Sequence, residues 1–261
     1  MRFSTGTAQP PAGNGLGKQD TRKEPKEEKS KEEYWEEPAT MGNNLETLPS
    51  LAPKDPTVLG ADGKRRPEWV RTNRGLVEYY DSEWGDPITD EHALFELLSL
   101  LTFQAGLRWS SVIARREALR EALADFDPDV LATWGEEELE GLLENEKVIR
   151  NRRKLSAVLQ NAAATVRLRE RGGLPTLVWS FQPEKCPEFS KSGELPKDTE
   201  ESRQLSAAMR EQGFASVGPI SCFALMQSAG VVDANPPGAH KYRSSGLWDE
   251  EGNKVRSPLA A

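Results

Sequence analysis

The chain has 261 residues, 36% of them hydrophobic and 29% charged, with a formal net charge of −8. That length fits one large domain or two small ones, and that polarity implies that part of the chain is unfolded. The two cysteines, Cys186 and Cys222, and the two histidines, His92 and His240, lack the spacing of a disulfide framework or a zinc ribbon, so no metal or cofactor is expected. No run approaches the ~20 apolar residues of a membrane span. Residues 1–15 lack the apolar segment of a signal peptide, which predicts a soluble, intracellular, cytoplasmic protein (nuclear in a eukaryotic cell) with no membrane partner.

Residues 1–60 read as a disordered charged tail. Within it, KQDTRKEPKEEKSKEEYWEE (18–37) holds fourteen charged residues of twenty, too few apolar groups to offset the entropy of ordering. A helical domain is expected over 61–245, with an irregular C-terminal tail over 246–261. EYYDSEWGDP (78–87) crowds Tyr79, Tyr80 and Trp84 before Gly85 and Pro87, the pattern of a turn or lid. Thr89-Asp90 then caps a helix to about Phe103, and Ser110-Ser111 caps a second with Ile113, Leu119 and Leu123 inward. Asp127-Pro128 starts a third, and EEELEGLLEN (136–145) is a fourth with acids in its first turn. A long fifth, 150–170, stops at Gly172-Gly173. After a loop-rich stretch, Asp198 or Thr199 caps a helix to about Gln212, and Pro219 opens a last one closed by Gly230. No strand-like alternation of useful length appears, so the fold class is all-α. Rossmann and P-loop chemistry are excluded with it, in keeping with the absence of their glycine motifs.

Two stretches point to chemistry. LLSLLTFQAGLRW (97–109) runs a buried helix into a small-residue corner at Ala105-Gly106 and then presents Trp109, a shape suited to a flat ligand. KVIRNRRK (147–154) has five basic residues of eight in the turn between the fourth and fifth helices. Cations at a helix N-terminus oppose the macrodipole, so their presence argues for an anionic partner such as phosphate. A local basic patch also answers the acidic net charge, because a duplex feels charge within a Debye length of ~10 Å. An aromatic pocket beside a phosphate-reading turn is what an enzyme needs to hold a base swung out of duplex DNA.

In order along the chain, YYDSEWGDPITDEHALFELLSLLTFQAGLRWSSVIARREALREAL, FDPDVLA, KVIRNRRKL, LVWSF and GFASVGPISCFALMQSAGVV resemble the signature blocks of the DNA-3-methyladenine glycosylase I family. That family is a branch of the helix-hairpin-helix glycosylases. The resemblance covers roughly 66–235. It implies a helix-hairpin-helix fold and base-excision repair of alkylated double-stranded DNA. The implied activity is hydrolysis of the N-glycosidic bond of 3-methyladenine by a monomeric enzyme without cofactor. The family manages without a catalytic Asp, so no catalytic residue is assigned. By the same resemblance Tyr79 and Trp109 sandwich the base, Trp84, which matches a motif Trp, and Leu101 belong to the same base pocket, and Lys147, Arg150, Asn151, Arg152 and Lys154 form the DNA-binding hairpin.

The sequence departs from the family at its polar positions. Leu101 stands where a Glu usually hydrogen-bonds the methylated adenine, and Leu76 stands at a second base-contacting Tyr. Many members clip their ends together with a zinc held by two Cys and two His. The matching positions here are Pro67, Tyr80, Asn235 and Ala239, which cannot hold zinc, so the ends are expected to meet by packing, with Trp69 and Val70 contributing. Three readings follow. The first is a working glycosylase with an altered pocket, the second a lesion-binding protein that no longer cleaves, and the third an interaction module that keeps only the fold.

Overall fold

The computed structural model describes residues 56–189 and 195–259. The charged stretch 18–37 lies outside them. The chain begins with a hairpin of β1 (Thr57–Leu59) and β2 (Arg65–Pro67), antiparallel with Val58 opposite Arg66. These strands fall across the boundary drawn at residue 60 and add a small sheet to the expected all-α fold; three-residue strands are too short to show a period. A 3₁₀ turn (Glu68–Thr72) leads to α1 (Arg74–Ser82), α2 (Glu91–Gln104), α3 (Trp109–Ile113), α4 (Arg116–Ala122), α5 (Pro128–Leu131) and α6 (Glu136–Glu144). After these come α7 (Arg152–Leu168), α8 (Gly173–Trp179), α9 (Glu200–Glu211) and α10 (Pro219–Ser228). No helix of the described residues is long and apolar enough to cross a membrane.

The centre of the fold is α2. Every residue from Leu94 to Phe103 is buried, and the helix packs against α3, α7, α8 and α10. A helix apolar on all sides has to sit inside. Asp90 caps it, accepting from the Ala93 amide at 2.8 Å. Thr199 caps α9 through a reciprocal pair with Ser202, and Asp127 caps α5 with Pro128 in its first turn.

Three local expectations change. Tyr79 and Tyr80 belong to α1 rather than to a turn; Asn73 caps this helix by accepting from the Gly75 amide at 2.8 Å. The helix expected from Ser110-Ser111 breaks at Ala114-Arg115 into α3 and α4, with both serines inside α3. GLPTLVW forms α8, which its Gly and Pro disguise; Pro175 lies in the first turn, where a helix needs no amide donor. Residues 246–259 form no helix, but Leu247 and Trp248 are buried and Trp248 bridges to Lys254.

The buried residues fall into two clusters. The larger surrounds α2 and takes in α7, α8, α9 and α10. The smaller consists of Val70, Tyr79, Tyr80, Trp84 and Ala234, and Trp109 packs against both.

Candidate functional site

A cleft of about 270 Å³ opens at the seam between the two clusters, lined by Trp69, Trp84, Leu101, Gln104, Trp109, Ala224, Gln227 and Ser228. Its floor is the C-terminal end of α2 and one face of α10. Backbone bonds fix the opposite wall, with Gly85 N donating to Ser228 O at 3.0 Å and Ile88 N to Ala229 O at 3.1 Å. Gly230 permits this approach, since a Cβ there would lie 2.7 Å from the Gly85 carbonyl oxygen. Gly106 has a different reason to be glycine: its φ is +76°, and nothing in the protein lies within 4 Å of where its Cβ would stand. The turn it makes leaves Leu107 43% exposed beside Trp109.

Trp69, Trp84 and Trp109 supply aromatic walls. Trp69 meets Trp84 edge to face at 5.5 Å. The sandwich expected between Tyr79 and Trp109 is not formed, because their rings touch each other at 5.4 Å and 65°, too close to admit a base. Tyr79 is buried behind Trp109, and burial raises its pKa. Trp84, Leu101 and Trp109 do line the cleft. Trp69, Gln104, Gln227 and Ser228 were missed as site residues. For Gln227 and Ser228 the one signal in the sequence was their i, i+3, i+4 spacing with Ala224 on a helix.

One layer behind the cleft lies a charged group. Glu96 of α2 accepts from Arg116 at 2.7 Å and from Arg120 at 2.8 and 3.0 Å, and Arg116 also donates to Glu83 at 2.7 Å. Burial works to raise the Glu96 pKa, but hydrogen bonds from the two arginines outweigh it and hold the carboxyl below its ordinary value. Both carboxylates are therefore committed to arginines, away from the cleft lining.

The hairpin joins α6 to α7 through residues 145–151. Asn151 is the N-cap of α7, accepting from the Lys154 amide at 3.2 Å. Lys154 donates its ammonium to the carbonyls of Phe103 and Ala105 at 2.7 and 2.6 Å, closing the C-terminal end of α2 and leaving the phosphate-facing set expected for it. Arg152 pairs with Glu136 and Glu140 of α6. Lys147 and Arg150 are exposed, Arg150 with Glu146 at 3.9 Å. Among the described residues the amides of Ile149 and Arg150 have no protein acceptor.

A sequence profile of the methyladenine glycosylase family matches residues 69–241. The chain belongs to that family. The DNA-3-methyladenine glycosylase 1 of Escherichia coli (strain K12) is 37% identical over 179 residues, 67% of this chain and 95% of that protein. The DNA-3-methyladenine glycosylase of Haemophilus influenzae is 36% identical over 63% of this chain and 91% of that protein. A crystal structure of 3-methyladenine DNA glycosylase I superposes with a TM-score of 0.64 at 35% identity, covering 67% of this chain and 98% of the other. The Staphylococcus aureus enzyme, whose structure addresses 3-methyladenine recognition, superposes with 0.62 at 26% identity over 66% and 93% of the two chains.

The positions at which this chain departs from the family fall in two places. Leu101 lines the cleft, while Leu76 is buried in α1. The four zinc positions do not fit a metal. Pro67 and Ala239 carry no ligand atom, and the Tyr80 hydroxyl donates to Asn235 Oδ1 at 2.5 Å. Among the described residues no group of three His, Cys, Asp or Glu is placed to hold one.

Proposed function

We propose that this chain is a base-excision glycosylase that hydrolyses the N-glycosidic bond of 3-methyladenine in double-stranded DNA after swinging the nucleotide out of the helix. The observation that carries the reading is the cleft with three tryptophans in its wall and no carboxylate in its lining. A base methylated at N3 is cationic, so its glycosidic bond is already weakened. Aromatic faces attract such a cation by about 1–2 kcal/mol per desolvated contact. Trp109 and the Trp69–Trp84 corner take the base, and Gln104 and Gln227 offer amides to its edge. Leu107, exposed at the rim, is placed to fill the gap left in the stack, as apolar wedges do. Arg150, Lys147 and the hairpin amides hold the strand. No general acid or base is assigned, because Glu83 and Glu96 are tied to Arg116; the lability of the charged base drives the bond breaking.

One observation favours a second reading, a lesion-binding protein without cleavage. Leu101 replaces the carboxylate that accepts a hydrogen bond from the methylated adenine, a charge-assisted bond of about 1.5–3 kcal/mol. Incubation of alkylated duplex followed by chromatography of the released bases separates the two. Free 3-methyladenine is the expected result; retarded duplex without free base establishes the second reading, and neither outcome leaves only an interaction module. Leu101→Glu is expected to raise release of 3-methyladenine by about tenfold or more. An unchanged rate removes position 101 from base recognition.

A further inference from the structure

Two of the four positions at which family members place zinc ligands are bonded directly to each other. The Tyr80 hydroxyl on α1 donates to Asn235 Oδ1, and the Asn235 amide nitrogens, backbone and side chain, donate to Asp233 Oδ1 at 2.9 and 2.8 Å. Asp233 also accepts from the Arg243 amide at 2.7 Å. Lys241 adds a second strap, donating to the Tyr80 carbonyl at 3.1 Å while pairing with Asp86 at 2.8 Å. Near the other two positions, the His240 amide donates to the Arg65 carbonyl at 2.9 Å, and Arg66 binds Asp81 at 2.8 and 2.5 Å. A continuous polar chain thus joins β2, α1 and the segment 233–243, the regions a zinc would otherwise tie.

The Tyr80 ring is fully buried and stands directly behind the cleft wall. It stacks on Trp84 at 5.5 Å and 29° and meets Trp69 edge to face at 5.9 Å. The bond to Asn235 anchors the hydroxyl end of the ring and so restrains its tilt. We infer that Tyr80 and Asn235 form a metal-free clasp that replaces the zinc clip and acts as a positioning pair for the Trp69–Trp84 wall. Neither residue touches the cleft. A buried hydrogen-bonded network suits this task because it fixes one geometry, and a half-satisfied one loses it. Burial raises the Tyr80 pKa, so the hydroxyl stays protonated and donating across the working range.

The test uses the full chain and its Tyr80→Phe and Asn235→Ala variants. Zinc content of the purified protein and its unfolding midpoint with and without EDTA test the replacement. Far less than one zinc per chain and an unmoved midpoint are expected; stoichiometric zinc, or a midpoint that falls with EDTA, overturns it. Acrylamide quenching of tryptophan fluorescence, each variant compared with the same variant carrying Trp84→Phe, tests the positioning. Tyr80→Phe keeps the ring but is expected to make Trp84 more accessible and to lower the midpoint by roughly 2–4 °C. The Tyr80→Phe/Asn235→Ala double variant is expected to be no less stable than Asn235→Ala, which already loses the shared bond and the side-chain bond to Asp233; additive losses overturn the pairing. A lowered midpoint with unchanged Trp84 quenching reduces the pair to a plain structural bond and refutes the positioning role. A further arm, which rests on the proposed function, follows binding of free 3-methyladenine. Tyr80→Phe is expected to raise Kd about tenfold, equivalent to ~1.4 kcal/mol. If wild-type protein binds no 3-methyladenine, the proposed function fails while the quenching result still decides the clasp.

Discussion

In the cleft the charged groups stand one layer back from the lining; at the hairpin they stand on the surface. Glu96 has 6% of its side chain exposed and holds Arg116 and Arg120 behind Tyr79, whereas Arg152 is 47% exposed and leans on Glu136 and Glu140. The same pairing therefore has different consequences. Behind the cleft it is committed, because an unpaired buried charge is costly, and it leaves the lining to aromatic and amide groups. On the hairpin it is provisional, because exposed pairs contribute only about 0–1 kcal/mol and phosphate oxygens compete well for the same guanidinium. One region is built to be rigid and apolar, the other to exchange partners.

The sharpest way to break this comparison is Glu96→Gln. It keeps the shape of the side chain and takes away the buried carboxylate that Arg116 and Arg120 share, leaving the mostly buried Arg116 with Glu83 and Arg120 with the exposed Glu117. A loss of about 3 kcal/mol of unfolding free energy is expected, read from the midpoint of a urea titration. The same group sets an acid limit. Because the folded carboxyl is held below its ordinary value, the unfolded chain binds the proton first as pH falls below ~4.3. The contribution of Glu96 is thus whole above that value and is lost as pH falls through the lower folded one. Wild-type stability is expected to drop through this window more steeply than that of the variant. Equal stabilities for the two proteins at neutral pH make the network as provisional as the hairpin pairs.

Much of this division was legible in the sequence, and the exceptions have physical causes. The helical spans of α2 and α7, the caps Asp90, Asp127 and Thr199 and the stop at Gly172 are local signals and were read correctly. Trp84, Leu101 and Trp109, which the family blocks assign to a base pocket, all line the cleft. Tyr79 was misjudged as a facing wall because its motif position says nothing about ring separation. The hydrogen-bond partners of the Glu96, Lys154 and Tyr80 side chains, and the Lys241 ammonium on the Tyr80 carbonyl, lie 20 to 161 residues away, so no spacing rule reaches them. The basic hairpin was visible as composition, but which of its cations were occupied depended on α6 and on the end of α2.

A smaller effect is expected at Arg150, an exposed hairpin cation whose acid partner among the described residues, Glu146, lies 3.9 Å away. Arg150→Ala is expected to weaken duplex binding about fivefold to tenfold near 0.1 M salt and to flatten the log–log salt dependence by about 0.9. Fluorescence anisotropy at several salt concentrations reads both. A parallel displacement with unchanged slope takes Arg150 off the DNA face and moves the contact to Lys147 or Arg153.

The smallest effect tests the claim of exchange itself. For Arg152 to reach a phosphate it has to give up Glu136 and Glu140, so the Glu136→Gln/Glu140→Gln variant is expected to bind duplex about threefold more tightly, within the worth of an exposed pair. Removing two negative charges also favours DNA in general. The control is therefore Glu137→Gln/Glu144→Gln, which changes the same charge on the same helix without touching an arginine. A larger gain in the first variant than in the control, abolished by adding Arg152→Ala, marks Arg152 as a contact that the acids restrain. Equal gains reduce the effect to net charge, and Arg152 then belongs with Glu96 as a structural pair, which erases the contrast between the two regions.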